Sequence, residues 1–118
     1  MTAKLKCEKI EENGIVIIRL KKKIVDTSVA DEFKDLLFNY LKDRKYNYII
    51  NFENVELFDT GCLSVLISFL KKMNGNGMVV LCCVKDTVYS IFKLIGVDSL
   101  FKSFENENEA ISYVKNGG

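Results

Sequence analysis

The residues best suited to chemistry lie in two short polar clusters, each followed by an apolar helical pattern. Asp59 and Thr60 precede a run in which hydrophobic residues recur at helical spacing as far as Met73. Side-chain oxygens of Asp and Thr accept hydrogen bonds from the unpaired N–H groups of a first helical turn. Residues 58–61 are therefore predicted to form a strand-to-helix turn, and the polar groups of this turn require the helix start to reach solvent.

The second cluster consists of Asp26, Thr27 and Ser28, and it precedes an amphipathic pattern that predicts a helix ending near Asp43. This second capped loop could lie beside the first one. A hydroxyl in the first turn of the helix after Asp59 can be phosphorylated, which adds about −1.5 to −2 charges where the helix dipole tolerates them. A simpler interpretation is that these residues only cap buried helices, and the pattern alone leaves both open.

The chain lacks the residues that most kinds of enzyme catalysis require. There is no histidine for general base catalysis, no nucleophile elbow and no GxGxxG after a strand. Cys62 would gain acidity at a helix N-terminus, but no imidazole can activate it. The four cysteines form no CxxC pair, and the adjacent Cys82 and Cys83 are predicted to point to opposite faces of a strand as small core residues. We expect no enzyme activity, no metal and no cofactor.

The charge balance excludes several classes of partner. The chain has 17 basic and 16 acidic residues, so no field of one sign attracts nucleic acid or an anionic membrane. No signal-peptide pattern opens the sequence, and no apolar run is long enough to span a bilayer. With 118 residues, of which 48% are hydrophobic, we expect one cytoplasmic domain over residues 1–118 and no evident small-molecule substrate.

The hydrophobic periodicity predicts an α/β fold. Strands over residues 5–10 and 15–20 are joined by Asn13-Gly14, which is a strong hairpin signal. Further strands are predicted over residues 46–52, 78–84 and 101–104, separated by helices. Residues 74–77 are predicted to be a helix C-cap and turn, Gly96 to end an inward-facing helix that carries Val88, Ile91, Phe92 and Ile95, and Asn108 to start the last helix. The sheet should have about four to five strands, antiparallel first and then parallel, with helices packed against it.

Three stretches carry a family resemblance. Residues 25–30 read VDTSVA, residues 58–63 read FDTGCL, and the tail contains the pairs Gly96-Val97, Leu100-Phe101 and Glu109-Ala110. In this order they resemble STAS domains, the family of bacterial anti-sigma factor antagonists. The resemblance extends over almost the whole chain and implies the STAS fold and a regulatory protein.

The resemblance also implies a mechanism, called partner switching. The chain would bind an anti-sigma factor that is also a serine kinase, and phosphorylation of the second hydroxyl in the central turn would break that complex. In an ungapped alignment that position is Gly61, whereas a turn one residue shorter makes Thr60 the phosphoacceptor; the even spacing of hydrophobic residues favours the ungapped register. The implied docking face consists of Asp26, Thr27, Asp59, Thr60, Gly61, Cys62 and Ser64.

Two classes of function remain open at this point. One is a regulatory module that binds a kinase-type anti-sigma factor and is controlled by phosphorylation near Thr60. The other is a non-phosphorylatable scaffold or constitutive antagonist, because Gly61 has no hydroxyl. A small-ligand sensor is a third class, for which the sequence contains no cofactor motif.

Overall fold

The computed structural model describes residues 4–42 and 46–118. Within these residues the chain forms seven strands and four α-helices. The strands are β1 (Cys7–Glu12), β2 (Ile15–Leu20), β3 (Ile24–Val25), β4 (Asn47–Asn51), β5 (Leu57–Phe58), β6 (Val79–Cys82) and β7 (Lys102–Phe104), and the helices are α1 (Ala30–Asn39), α2 (Thr60–Met73), α3 (Asp86–Ile95) and α4 (Glu107–Lys115).

The main sheet has five strands in the order β1-β2-β4-β6-β7. β1 and β2 are antiparallel, and each later strand is parallel to its neighbour. The hairpin turns through Asn13 and Gly14, whose φ values of 54° and 77° are both positive, as an Asn-Gly turn requires. The predicted α/β class with an antiparallel first pair is confirmed, although β1 starts two residues later than predicted, after Leu5.

Three helices cover one face of this sheet and α4 covers the other. Each parallel strand is added on the same side of the previous one, so right-handed crossovers place α1, α2 and α3 on a single face. Successive side chains of a strand point to opposite faces of the sheet. Val16 and Ile18 belong to the large hydrophobic cluster under α1–α3, whereas Ile15 and Ile17 belong to the smaller cluster under α4. None of the helices in the described part of the chain has the length and apolar character that a membrane crossing requires.

A separate two-stranded sheet, not predicted from the sequence, joins the two strand-to-helix connections. β3 and β5 pair in parallel, with Ile24 opposite Leu57 and Val25 opposite Phe58. Each strand has only two residues, which is too short to give a periodic signal. Val25 and Phe58 are buried and point into the core, whereas Ile24 and Leu57 are about half exposed.

Several predicted boundaries are wrong in detail. Asp26 is followed by a 3₁₀ turn over Thr27–Val29 before α1 begins, and the predicted helix end near Asp43 lies outside the described residues. The last helix starts at Glu107 after an Asn106 cap, one residue before the predicted Asn108. Ile95 was expected to face inward but is 46% exposed, because it lies in the last turn of α3, beside Gly96.

The prediction that Cys82 and Cys83 point to opposite faces is also wrong. β6 ends at Cys82, and Cys83 adopts a left-handed conformation with φ of 60°. The alternation of an extended strand therefore stops between the two residues. As a result, Cys82 is buried within the small cluster under α4 and Cys83 packs against the same cluster.

Phe58 anchors the end of β5 and thus the turn into α2. Its ring centroid lies 5.0 Å from that of Phe52, 5.9 Å from that of Phe33 and 6.1 Å from that of Phe92, so it joins the sheet to α1 and α3. We expect Phe58→Ala to lower the free energy of unfolding by about 3–5 kcal/mol, because a buried aromatic ring is replaced by a cavity.

Leu57→Ala on the same strand is the matched control. Leu57 is 48% exposed, so truncation of its side chain should lower the free energy of unfolding by less than about 1 kcal/mol. Urea denaturation followed by circular dichroism measures both variants. Equal losses for the two would contradict the anchoring role of Phe58.

Candidate functional site at the start of helix α2

Asp59 is the N-cap of α2. Its backbone is extended, and its Oδ1 accepts a hydrogen bond of 3.0 Å from the N–H of Cys62. The predicted strand-to-helix turn is therefore confirmed, but Thr60 is the first residue of the helix and not a second cap. Thr60 is exposed, so the helix start reaches solvent as expected.

The same carboxylate also reaches the Asp26 loop. Asp59 Oδ2 accepts two hydrogen bonds of 2.9 Å, one from the N–H and one from the Oγ1 hydroxyl of Thr27. Partial burial alone would raise the pKa of Asp59, but the hydrogen bonds from Cys62 and Thr27 outweigh it and hold the pKa below its ordinary value. Asp59 is therefore a charged group that ties two loops together.

Asp26 caps its own turn in a similar way. Its Oδ1 accepts hydrogen bonds from the N–H of Ser28 at 3.0 Å and from the Ser28 hydroxyl at 2.6 Å. The Cys62 thiol donates to the backbone carbonyl of Asp26 across a distance of 3.2 Å. Two loops that are far apart in sequence are thus joined by both a side-chain carboxylate and a side-chain thiol.

The register of β3 and β5 explains why these loops meet. Because Val25 lies opposite Phe58, the next residues on the two strands, Asp26 and Asp59, leave the small sheet side by side. The N–H of Asp59 still donates to the carbonyl of Val25 at 3.2 Å. The sequence carried a signal for this arrangement, since residues 24–27 read IVDT and residues 57–60 read LFDT.

The structure brings the candidate residues of the sequence, with the exception of Cys62, to the surface around the joined loops and the start of α2, which we call the tethered face. It consists of Asp26, Thr27, Ser28, Asp59, Thr60, Gly61 and Ser64. The hydroxyl-bearing residues are exposed, whereas Asp26, Asp59 and Gly61 are half-buried. The result is a polar surface whose backbone is fixed by hydrogen bonds and whose hydroxyl groups face solvent.

Cys62 supports this surface from beneath and does not line it. Its side chain is fully buried, in contrast to the expected place on the docking face. Burial, together with the neighbouring Asp59 carboxylate, raises the pKa of the Cys62 thiol to about 12. The thiol is therefore protonated at neutral pH, and the alternative of a cysteine nucleophile fails on chemical grounds.

Gly61 lies beside Thr27 of the neighbouring loop. A Cβ atom on this residue would stand 3.1 Å from Thr27 Oγ1 and 3.4 Å from Asp59 Oδ1. A side chain at this position would therefore press directly on the Thr27 hydroxyl. The backbone of Gly61 is helical, so the constraint on this position is the space left by Thr27 and not the φ angle.

A second polar cluster, which sequence reasoning missed, joins α4 to the main sheet. Arg19 donates two hydrogen bonds to Glu107, at 2.9 Å and 2.7 Å, and the Asn51 amide donates to Glu107 at 2.7 Å. The hydrogen bonds from Arg19 lower the pKa of Glu107 despite its partial burial. Because its members pair with one another, we assign this cluster a structural role. No local pattern connects residues so far apart in the sequence.

Solved structures with the same fold include several anti-sigma factor antagonists and a sulfate transporter family protein from Wolinella succinogenes, which is 20% identical over 92% of this chain and 90% of the other, with a TM-score of 0.73. An anti-sigma factor antagonist from Mycobacterium paratuberculosis is 15% identical over 98% of this chain and 97% of the other, with a TM-score of 0.82. The unphosphorylated form of the antagonist SpoIIAA is 19% identical over 95% and 96%, with a TM-score of 0.77. A STAS domain protein from Planctomyces limnophilus is 17% identical over 92% and 97%, with a TM-score of 0.76. At these identities the likeness establishes the fold alone.

The sequence itself establishes the family. The model of the STAS domain matches residues 6–110 of the chain. This range runs from the start of β1 into α4 and contains the whole tethered face. The chain belongs to the STAS domain family.

The carboxylate of Asp59 should contribute to stability in a pH-dependent way. We expect Asp59→Ala to lower the free energy of unfolding at pH 7 by about 1–2 kcal/mol, because the α2 cap and the tie to Thr27 are lost together. The pKa of Asp59 is depressed in the folded state, so this contribution is complete above the ordinary aspartate pKa of about 3.9. It is lost as pH falls through the lower folded-state value.

Urea denaturation of both proteins between neutral and acidic pH tests this expectation. Asp35→Ala is the control, because Asp35 is an exposed acidic residue in the middle of α1. The difference in the free energy of unfolding between wild type and Asp59→Ala should decrease as the pH falls below the ordinary aspartate pKa. The difference between wild type and Asp35→Ala should stay small at every pH. A constant gap for Asp59→Ala would show that its charge contributes nothing.

Proposed function

We propose that the chain is an anti-sigma factor antagonist that docks a kinase-type anti-sigma factor through the tethered face. The single observation that carries this proposal is the Asp59 carboxylate, which fixes an exposed helix start to a neighbouring polar loop. A surface held rigid before binding loses less conformational entropy when a partner docks. The family membership and the antagonist relatives supply the class of partner.

Phosphorylation of this surface is the proposed control, and Thr60 is the candidate residue from the sequence. Thr60 is exposed in the first turn of α2, where unpaired N–H groups and the helix dipole tolerate negative charge. SpoIIAA, which shares this fold, is also known in a phosphorylated form. A phosphate on the tethered face would repel a partner that fits the neutral hydroxyl.

A second candidate is an antagonist that binds without being modified. The absence of a side chain on Gly61 favours it, because this is the phosphoacceptor position in the ungapped family alignment. The close approach of Thr27 also leaves little space for a larger residue there. In this case the chain would act as a constitutive antagonist or as a subunit of a larger signalling assembly.

Calorimetric titration with a purified partner tests the docking proposal. The probe is the anti-sigma factor kinase encoded nearest to the gene of this chain. We expect Thr60→Glu to weaken binding at least about tenfold, which corresponds to about 1.4 kcal/mol, because it adds charge to the docking surface. Thr60→Ala should bind as wild type does.

Ser112→Glu is the matched control on the opposite face. Ser112 is exposed on α4, so the same added charge should leave the affinity unchanged. If Thr60→Glu and Ser112→Glu weaken binding of the kinase equally, the partner does not dock on the tethered face. Incubation with the kinase and ATP, followed by intact mass, separates the candidates: an unchanged mass with intact binding favours the constitutive antagonist.

A further inference from the structure

A pocket of about 440 Å³ opens at the end of the main sheet where β2 and β4 begin. Its walls come from the β1-β2 hairpin, the end of α1 and the residue before β4. The lining residues are Glu11, Glu12, Asn13, Gly14, Asn39, Tyr40 and Tyr46. The carbonyl of Gly14 accepts a hydrogen bond of 3.0 Å from the N–H of Asn47, which fixes the hairpin to the start of β4. The volume is typical of a small-ligand site.

Two features give this pocket negative character. Glu11 and Glu12 both line it and are exposed, and within the described residues neither forms an ion pair with a basic side chain. Asn39 and Tyr40 are the last residue and the C-cap of α1, whose last turn contains no basic residue. The C-terminal end of a helix carries negative partial charge. Carboxylates and helix end therefore favour a cation in the same place.

Tyrosine rings form one corner of the pocket. The ring centroids of Tyr40 and Tyr46 are 5.9 Å apart, and the ring planes meet at 82°. Tyr48 contacts both rings, at 5.9 Å and 6.1 Å, and is only 1% exposed. Its buried hydroxyl has no hydrogen-bond partner among the described residues, so the corner contains an unused acceptor. Aromatic faces also attract cations, because the ring quadrupole is negative there.

The charge of Glu11 acts on this aromatic corner. Burial raises the pKa of Tyr40, and the Glu11 carboxylate is the next cause. Burial also raises the pKa of Tyr48 to about 12, with further contributions from Tyr46, Tyr40 and Glu11. Carboxylate and rings thus share one electrostatic environment, in which added negative charge is unfavourable.

We propose that this pocket binds a small protonated aliphatic amine. The ammonium group donates hydrogen bonds to carboxylate and amide oxygens, and bonds between charged partners are the stronger class. Its charge is attracted by Glu11, Glu12 and the end of α1, while its methylene groups pack on the tyrosine rings. The inference does not depend on the docking function, because the pocket lies where β2 and β4 begin and the tethered face lies beyond their carboxyl ends.

Titration of the isotope-labelled chain with butane-1,4-diammonium, followed by amide NMR spectra, tests the site. We expect saturable shifts of the signals of Gly14, Asn39 and Tyr46, and no shift of Thr60. Butane-1,4-diol is the matched ligand control, because it has the same chain length without charge, and potassium chloride controls for ionic strength. Equal shifts with the diol or the salt, or no saturable shift at the three pocket residues, would overturn the inference.

Two variants separate charge from aromatic contact. Glu11→Gln removes a carboxylate and keeps its shape, and Tyr46→Leu removes a ring and keeps an apolar side chain. Each should raise the dissociation constant of butane-1,4-diammonium at least about threefold. Glu109→Gln is the control, since Glu109 is an exposed acidic residue of α4 outside the pocket.

The dispersion of the amide spectrum shows whether each variant is folded. Glu11 is exposed at the edge of the sheet, so Glu11→Gln tests the site even if Tyr46→Leu does not fold. Binding to Glu11→Gln that equals binding to wild type and to Glu109→Gln would contradict the proposed site.

Discussion

The arrangement of the functional surface depends on a single carboxylate. Asp59 uses one oxygen to cap α2 and the other to hold the backbone and hydroxyl of Thr27. A charged acceptor that receives three hydrogen bonds is held in place more firmly than a neutral cap, because bonds to ionised groups are the stronger class. The start of α2 and the start of the 3₁₀ turn therefore form one rigid unit, although 32 residues separate Asp59 from Thr27.

The sheet makes this unit possible and the aromatic core keeps it in position. β2 and β4 are parallel neighbours, so the connections that leave them lie at the same edge, and β3 and β5 continue the pairing as far as Val25 and Phe58. Phe58 then fills the core between α1 and α3 immediately before Asp59. A surface formed by loops thus gains much of the precision of a surface formed by regular structure.

The absence of a side chain on Gly61 matters in two ways. In the sequence, Gly61 stands where the resemblance leads us to expect a hydroxyl-bearing residue, so the choice between a phosphorylation-controlled and a constitutive antagonist stays open. In the structure it is the place where the facing loop comes within contact of α2. The Thr27 hydroxyl and Gly61 are thus two parts of one packing arrangement.

Much of the fold was accessible from local patterns. The Asn13-Gly14 hairpin, the strand at Ile15–Leu20 and the end of α3 at Gly96 were predicted correctly, because turn chemistry and periodicity act over a few residues. The opposite orientation of Cys82 and Cys83 was predicted wrongly, because the left-handed backbone of Cys83 interrupts a pattern that otherwise continues. The small sheet of β3 and β5 was missed because two-residue strands carry no period.

The sequence by itself determined the order and approximate position of the main helices and strands, and it determined that Asp26 and Asp59 precede helical segments. These features depend on backbone hydrogen bonds between near neighbours, so residue types are enough to predict them. Only the tertiary structure decided that the second oxygen of Asp59 binds Thr27 and that Glu107 joins Arg19 and Asn51. Those bonds follow from strand register and helix packing, which bring distant residues together. The matching stretches IVDT and LFDT hint that the two loops are alike, but no local pattern shows which atoms will bond.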